Sequence, residues 1–363
     1  MSVFRWRAWG LAAMVLVGLL AATCGASAAP AKRSPVVRVD TVCFRVHNGS
    51  DTFASTLFGQ RYRVGRTTAR TPAIVLVHGV ASSTANWDFL PRLSVARSLA
   101  RRGYVVISYD RLGFARSAYH GPGGGKSITS PNQQAMLHEV VRAVHRGTYA
   151  LGRGSTCART RAVRPQRSRR VVIIGHSAGG GIVEGYPGTY HDVAAMVQAD
   201  WSSFPPLSGA PAPSVPPEVG QQLAAGKDYI AFFANRQECE SFNEYAPGAV
   251  ARAVRLACDP RAFVATPAGE FLGLGDLTTH NLAAIKQTGR TPVLLTWGDH
   301  DYIFPPDSAA AEIKYWVDNC AGCDVTATFF PRTGHLFMVH RSLTDWVRTV
   351  SGWLRSRGIS PRH

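Results

Sequence analysis

From about residue 72 onward, two patterns of hydrophobic and polar positions follow one another along the chain. Continuous apolar runs are typical of strands that are buried on both faces. They lie at 73–77, 104–109, 171–174, 193–197, 293–297 and 325–330. Longer amphipathic stretches at about 132–149 and 343–355 predict helices. This succession predicts an α/β fold, in which a mostly parallel central sheet has helices on both faces.

The pattern breaks between residues 201 and 290. Six prolines occur between positions 205 and 217, and patches with helical periodicity and many aromatic residues follow. An insertion of this length between two core strands predicts a helical cap or lid. Its aromatic residues could form the cap's own small core, an apolar wall for a ligand, or both. The expected domains are therefore a core in two parts, 29–200 and 291–363, with a cap at 201–290.

The first 28 residues have the pattern of an export signal. Arg5 and Arg7 precede an apolar stretch over 9–22, and a small-x-small sequence ends at Ala28. This pattern predicts a cleaved signal peptide, 1–28, and a secreted protein. A lipid anchor on Cys24 is the alternative, but the leucine usually found three positions earlier is missing.

Six cysteines remain after the expected cleavage, and export favours disulfides between them. They are Cys43, Cys157, Cys239, Cys258, Cys320 and Cys323. Six cysteines allow about 15 pairings, and the sequence does not choose between them, although 239–258 and 320–323 would close the shortest loops. A zinc site would need two Cys pairs or additional histidines at ligand spacing, and only one Cys-x-x-Cys occurs. We therefore expect no metal.

Lys and Arg number 40 against 23 Asp and Glu, which gives a formal charge of +17. The densest basic run has arginines at 153, 159, 161, 164, 167, 169 and 170. No aromatic residue interleaves with them, so a stacking platform for bases is missing and we expect no nucleic-acid partner. The run is interpreted as a solvated surface loop. Electrostatic association with anionic surfaces is the alternative. The oligomeric state is not predicted.

A nucleophile motif follows the third apolar run. Gly175-His176-Ser177-Ala178-Gly179 is a G-x-S-x-G sequence between a predicted strand and a glycine-rich helix start. A sharp turn there would expose the Ser177 hydroxyl, and the helix N-terminus would stabilise developing negative charge. Ser177 is the candidate nucleophile.

A serine nucleophile needs a base and an acid that orients the base. His335 follows the sixth apolar run and Asp301 follows the fifth, so both lie at carboxyl ends of strands, where such sheets place their sites. The chain order Ser177, Asp301, His335 is the order expected for a hydrolase on this sheet. Asp200, which follows the fourth run, and Asp299 are alternative acids. His340 is the alternative base, although it lies in or near the last helix.

From about residue 70 to the C-terminus the chain resembles the α/β-hydrolase superfamily. His78-Gly79 resembles the family's oxyanion turn, and 175–179 resembles its nucleophile elbow. Residues 110–117 resemble its D-x-x-G-x-G-x-S segment, with Ala115 in place of the second glycine, and the Asp301 and His335 segments resemble the acid and base loops. The resemblance implies leading antiparallel strands within 36–69. It also implies an oxyanion hole made by the backbone N–H groups of Val80 and Ala178.

The resulting expectation is a secreted serine hydrolase that cleaves small-molecule or lipid carboxylic esters (an esterase, lipase or lactonase) without a cofactor. A cofactor-free perhydrolase or an acyltransferase would use the same three residues. A non-catalytic binding protein on the same fold is the alternative from another class, but such a protein has no need of all three.

Overall fold

The computed structural model describes residues 35–50, 52–209 and 216–361. The predicted signal peptide and Cys24 lie outside the described residues. The strands are β1 (Val37–His47), β2 (Ala54–Val64), β3 (Ala73–Val77), β4 (Asp88–Leu90), β5 (Leu93–Ser94), β6 (Val105–Tyr109), β7 (Ala150–Arg153), β8 (Thr156–Arg161), β9 (Val171–His176), β10 (Ala195–Ala199), β11 (Tyr229–Ile230), β12 (Thr266–Pro267), β13 (Val293–Gly298) and β14 (Val325–Phe330). The α-helices are α1 (Val95–Arg101), α2 (Ser130–Arg146), α3 (Ala178–Glu184), α4 (Tyr186–Tyr190), α5 (Pro217–Ala224), α6 (Arg236–Asn243), α7 (Ala251–Ala257), α8 (Ala268–Leu272), α9 (Leu274–Ile285), α10 (Pro306–Asn319) and α11 (Leu343–Ser356).

Among the described residues, ten strands form one sheet in the order β14-β13-β10-β9-β3-β6-β2-β1-β7-β8. Pairing is parallel from β14 to β6 and antiparallel from β6 to β8. The predicted fold class, a mostly parallel sheet between helices, is confirmed, and the two strands expected within 36–69 are β1 and β2.

Both faces of the parallel strands are buried, which explains their continuous apolar sequences. In β3, Val75 and Val77 join a core with α2, α3, α9 and α10 on one face. Ile74 and Leu76 join a second core with α1, α7 and α11 on the other face. The alternation of side chains along each strand therefore supplies two cores from one apolar run.

The predicted helix over 132–149 begins two residues earlier and ends three residues earlier in the structure, as α2. The Thr129 side chain accepts a hydrogen bond from the N–H of Asn132, which caps the first turn. Gly147 ends the helix in the left-handed conformation, at a φ of 65°. The apolar periodicity identified the helix, and these local caps decide its ends.

The 201–290 segment contains helices α5 to α9 and a small two-stranded sheet of β11 and β12. Its first part has a separate apolar cluster that includes Phe232, Phe233 and the partly buried Phe242. The last helix, α9, packs instead against α2, α3 and α4. This segment therefore has an apolar cluster of its own at one end and completes the helical layer of the sheet at the other.

The arginine-rich run differs from the predicted loop. Residues 150–161 form the β7–β8 hairpin at one edge of the sheet, and only the following residues are irregular. All seven arginines are exposed, as the solvated-surface interpretation requires. The hairpin is held because β7 pairs with β1 and a disulfide joins Cys43 in β1 to Cys157 in β8.

Two further disulfides join Cys239 to Cys258 and Cys320 to Cys323. Tertiary contact therefore selects one of the pairings that the sequence left open. Among the described residues, no helix is long and apolar enough to span a lipid bilayer.

Candidate active site

Ser177 occupies the sharp turn between β9 and α3. Its φ is 56°, a backbone conformation that non-glycine residues rarely adopt. The two glycines of the motif allow this turn because their hydrogens lie against backbone. A Cβ at Gly175 would meet the carbonyl oxygen of Gly179 at 2.0 Å, and a Cβ at Gly179 would meet that of Val77 at 2.2 Å. The strain is stored at the one residue whose hydroxyl must project into the site.

The three residues predicted from sequence are hydrogen-bonded in series. The Ser177 Oγ lies 2.9 Å from His335 Nε2, and His335 Nδ1 lies 3.0 Å from Asp301 Oδ2. All three are buried, and Ser177 is the most exposed of them at 9%. The loops after β13 and β14 bring Asp301 and His335 to the serine, from 124 and 158 positions along the chain, because these strands lie on the same side of β9 in the sheet.

Asp301 is held firmly by the chain that follows it. Its second oxygen, Oδ1, accepts hydrogen bonds from the N–H groups of Ile303 at 2.8 Å and Phe304 at 3.0 Å. This leaves Oδ2 aimed at the imidazole of His335.

The alternative acids have other contacts. Asp200 accepts a hydrogen bond from the N–H of Gly298 at 2.8 Å and lies close to Asp301. Burial, and then the charge of Asp301, raises the pKa of Asp200 well above its usual range, which favours its protonated form. Asp299 lies 2.6 Å from His300 Nδ1 and accepts from the N–H of Thr333. The structure thus places only Asp301 against the imidazole of His335.

His340, the alternative base, lies near α11 but not in it, three residues before the first residue of the helix. Its Nε2 accepts hydrogen bonds from the N–H groups of Tyr245 and Gly334, at 3.0 and 3.1 Å. Burial lowers the pKa of His340 to about 4, so the ring is neutral and ties the 201–290 segment to the His335 loop.

The turn at 78–81 lies directly against the serine. A Cβ on Gly79 would meet the Ser177 Cβ at 2.8 Å, so only glycine permits this approach. Val80 and Ala178 line the same cavity as Ser177. Within the described part of the chain, the N–H of neither residue donates to an intramolecular acceptor. Two free backbone donors therefore border the Ser177 hydroxyl.

The two histidines that flank these turns are neutral. Burial, and then the charge of Arg111, lowers the pKa of His78 well below its usual range. Its Nε2 accepts from the N–H of Arg111, so its proton is on Nδ1, which donates to the Gly79 carbonyl at 2.8 Å. Burial lowers the pKa of His176 to about 3, and its Nε2 lies 2.8 Å from the His335 carbonyl. Both rings shape the backbone around the site.

Two cavities meet at Ser177. The larger, of about 430 Å³, is mostly apolar and combines core loops with residues of the 201–290 segment. Its lining includes Val80, Trp201, Phe204, Phe232, Phe242, Phe271, Leu274, Ile303 and Phe304. The smaller, of about 40 Å³, is bordered by both Ser177 and His335, together with Phe233, Phe263 and Leu336. Among the described residues, no group of three or more His, Cys, Asp and Glu side chains is placed to hold a metal ion.

One wall of the large cavity rests on a buried pair of carboxyl groups that the sequence did not reveal. Ser203, a lining residue, donates its hydroxyl to Glu184 of α3 and its N–H to Glu312 of α10. Asn281 donates to Glu184, and the indole N–H of Trp316 donates to Glu312. Burial raises the pKa of both carboxyls, and that of Glu312 lies well above its usual range because Glu184 is beside it. Burial and the repulsion between the two carboxylates therefore both favour protonation of the pair.

This pair makes the stability of the protein depend on pH. An acid whose pKa is raised in the folded state binds more protons there than in the unfolded chain, so stability falls as the pH rises above the unfolded value. We expect the Glu312→Gln variant to lose less stability than the wild type between pH 5 and pH 8. The quantity compared is the change in the free energy of unfolding between the two pH values, in the variant and in the wild type. Urea unfolding at both pH values measures it.

Asp318→Asn, an exposed change on the same helix, is the matched control and should keep the wild-type pH dependence. An equal pH dependence in Glu312→Gln and the wild type would show that the fold does not raise the pKa of Glu312.

The fold and this serine–histidine–aspartate arrangement at the carboxyl ends of parallel strands define a protein of the α/β-hydrolase class. The sequence model described as the alpha/beta hydrolase family matches residues 74–348. The chain belongs to that family.

Solved structures show the same fold at low sequence identity. An esterase from Thermogutta terrifontis superposes with a TM-score of 0.58 and 15% identity, covering 87% of this chain and 98% of the other. A monoacylglycerol lipase from Paleococcus ferrophilus gives a TM-score of 0.56 and 16% identity, covering 83% and 99%. A bacterial membrane phospholipase A gives a TM-score of 0.55 and 17% identity, covering 88% and 87%. A search of curated protein sequences found no match.

Proposed function

We propose that the protein is a secreted serine hydrolase that cleaves carboxylic esters through an acyl-enzyme. The observation that carries the proposal is the continuous contact from Ser177 Oγ to His335 to Asp301, with the free N–H groups of Val80 and Ala178 beside the hydroxyl. Nucleophile, base, orienting acid and oxyanion donors are the four parts that acyl transfer by serine requires.

In this mechanism, Ser177 attacks the ester carbonyl while His335 Nε2 takes the hydroxyl proton. Asp301 keeps the proton of His335 on Nδ1 and stabilises the imidazolium that forms. The Val80 and Ala178 amides bind the oxyanion. His335 then gives its proton to the leaving alcohol and takes one from the water that releases the acid. The chain's own residues supply every group, and no cofactor enters.

The two cavities indicate where the acyl group and the alcohol of an ester substrate would bind. The leaving oxygen must be within reach of His335, and the small cavity borders both His335 and Ser177. The large apolar cavity borders Ser177 and the two oxyanion donors. We therefore place an apolar acyl group in the large cavity and a small alcohol in the small one. The esterase and lipase neighbours are in keeping with an ester substrate.

The export signal over 1–28 and the three disulfides support secretion. We propose that residues 29–200 and 291–363 form the hydrolase core and that 201–290 act as its cap. The position of the Phe242 ring, 5.7 Å from the His335 ring, supports this role of the segment.

The first experiment measures hydrolysis of methyl esters from acetate to palmitate by the mature chain, followed by pH-stat. A second series keeps the acyl group at hexanoate and varies the alcohol from methyl to benzyl, followed by pH-stat. We expect kcat/KM for the methyl ester to exceed that for the benzyl ester by at least about 10-fold, because a cavity of about 40 Å³ does not hold an aromatic ring. Phe263→Ala should reduce this preference, because Phe263 lines the small cavity.

Leu274→Ala is the matched variant in the large cavity, and it should change the acyl-length profile without changing the alcohol preference. A preference of the wild type for large alcohols would indicate the opposite placement, with the alcohol in the large cavity and the acyl group in the small one. Absence of hydrolysis by folded protein across both series would contradict the proposed function.

A further inference from the structure

Two buried, charged residues next to the site have no part in the mechanism above. Arg111, in the loop after β6, is fully buried, and Glu270 of α8 is 3% exposed. One guanidinium nitrogen of Arg111 donates to Glu270 Oε1, which also accepts from the amide of Gln133 at 2.8 Å. Glu270 lines the large cavity and belongs to the 201–290 segment. The pair thus links that segment to the core beside Ser177.

The other end of the Arg111 guanidinium reaches the turn beside the serine. Its second terminal nitrogen donates to the carbonyl oxygen of Gly79 at 3.0 Å, beside His78 Nδ1, which donates to the same oxygen at 2.8 Å. That carbonyl and the N–H of Val80 belong to one peptide unit, which is planar and has its C=O and N–H pointing in opposite directions. Holding the carbonyl therefore sets the direction of the Val80 N–H, the donor assigned to the oxyanion.

Stability alone does not explain this pair. Removing two charges from water is costly, and apolar residues of similar size often replace a buried ion pair without loss. Here one carboxylate oxygen of Glu270 and the Nε of Arg111 have no hydrogen-bond partner among the described residues. The geometry also needs arginine. Its planar fork contacts Glu270 and Gly79 at once, whereas a lysine ammonium on a flexible stem has no such fixed pair of directions.

The same turn has a second contact with the 201–290 segment. The N–H of Ala81 donates to the hydroxyl of Thr266 at 2.9 Å, and Thr266 is fully buried. Ala81 has a φ of 51°, so the turn is held in a conformation that a free loop would rarely keep. Arg111 of the core, on the Gly79 side, and Thr266 of the 201–290 segment, on the Ala81 side, therefore hold the turn on both sides of Val80.

We propose that Arg111 is a positioning residue, anchored by Glu270, that aims the Val80 N–H at the oxyanion of the transition state. The inference rests on the proposed serine hydrolase function. The guanidinium charge on the Gly79 carbonyl also polarises the peptide and strengthens its N–H as a donor. Because the donor acts on charge that develops only in the transition state, losing Arg111 lowers kcat and leaves KM nearly unchanged.

The test compares Arg111→Met, Arg111→Lys and Glu270→Gln with the wild type on one ester, such as methyl hexanoate. Titration of reactive Ser177 with a p-nitrophenyl alkylphosphonate counts folded sites, and the rate of that reaction reports oxyanion stabilisation separately from turnover. We expect kcat per titrated site to fall about 10- to 100-fold in both arginine variants, with KM within about 3-fold. Loss of a whole oxyanion donor costs about 10²- to 10³-fold. Glu270→Gln should give a smaller loss.

Arg97→Met is the matched control, because Arg97 is paired with Asp88 at 2.9 Å away from the site. It should leave kcat and the phosphonate rate unchanged even if it lowers the melting temperature. If Arg111→Met does not fold, Arg111→Lys and Glu270→Gln decide the question.

Wild-type kcat in the titrated Arg111 variants, or a raised KM with unchanged kcat, would overturn the positioning role while leaving the proposed function intact. Failure of the proposed function would be detected separately, in the assays of the wild type and of Ser177→Ala. In that case the wild type lacks ester hydrolysis, or the activity survives Ser177→Ala, and the inference falls with it.

Discussion

Replacing Ser177 by alanine is expected to lower kcat for ester hydrolysis by at least about 10⁴-fold. The hydroxyl is the group that forms the acyl-enzyme, and no neighbouring side chain can replace it, since its hydrogen-bond partner His335 is needed as the base. Alanine also has a Cβ and must adopt the same φ of 56° in this turn, so the substitution leaves the strain of the local backbone unchanged. The fold should therefore persist.

The measurement is kcat on methyl hexanoate for protein whose unfolding transition matches that of the wild type. Mass spectrometry after treatment with an alkylphosphonate should show one adduct on Ser177 in the wild type and none in the variant. Ser351→Ala, a buried serine on α11, is the control and should keep full activity. Activity that persists in Ser177→Ala would show that another residue is the nucleophile.

Asp301→Asn is expected to cost about 10⁴-fold in kcat. The N–H groups of Ile303 and Phe304 occupy one oxygen of Asp301, and asparagine would place its carbonyl oxygen there. Its NH₂ would then face His335 Nδ1, which must give up its proton to accept that hydrogen bond. The proton would move to Nε2, the atom that has to receive the Ser177 proton.

Asp200→Asn is the matched variant, and its expected loss is about 10-fold or less. Burial favours the neutral form of Asp200, and a neutral amide of the same shape keeps the contact with the Gly298 N–H. The comparison of kcat in the two variants distinguishes the two acids. A large loss in Asp200→Asn with near-normal Asp301→Asn would reassign the orienting acid to the residue after β10.

The elements of this protein differ in how far the sequence predicted them. The apolar runs that became β3, β9 and β13 could be recognised in the sequence, because a strand buried on both faces has few polar positions. The β7–β8 hairpin did not, because its outer strand is exposed and rich in arginine, a composition that also suits a loop. Its pairing with β1 and the Cys43–Cys157 disulfide, contacts distant in sequence, hold it in place.

The candidate site residues also differ in how far the sequence predicted them. Ser177, Asp301 and His335 could be predicted because each follows a recognisable strand and carries a chemically distinctive side chain. Glu270 and Glu312 carried no such signal. Each is one carboxyl among 23 acidic residues, and its importance depends on partners from other elements, such as Arg111, 159 positions away, and Glu184.

The class of fold could be predicted from the sequence alone, as could the strand ends that carry Ser177, Asp301 and His335 and the order of these residues along the chain. These follow from local apolar patterns and short motifs, which physical chemistry makes readable over a few residues. The tertiary structure was needed to establish which aspartate faces His335, how the cysteines pair, the size of the two cavities and the contact of Arg111 with the Gly79 carbonyl. Each of these depends on distances between side chains far apart in the chain, and only packing sets such distances.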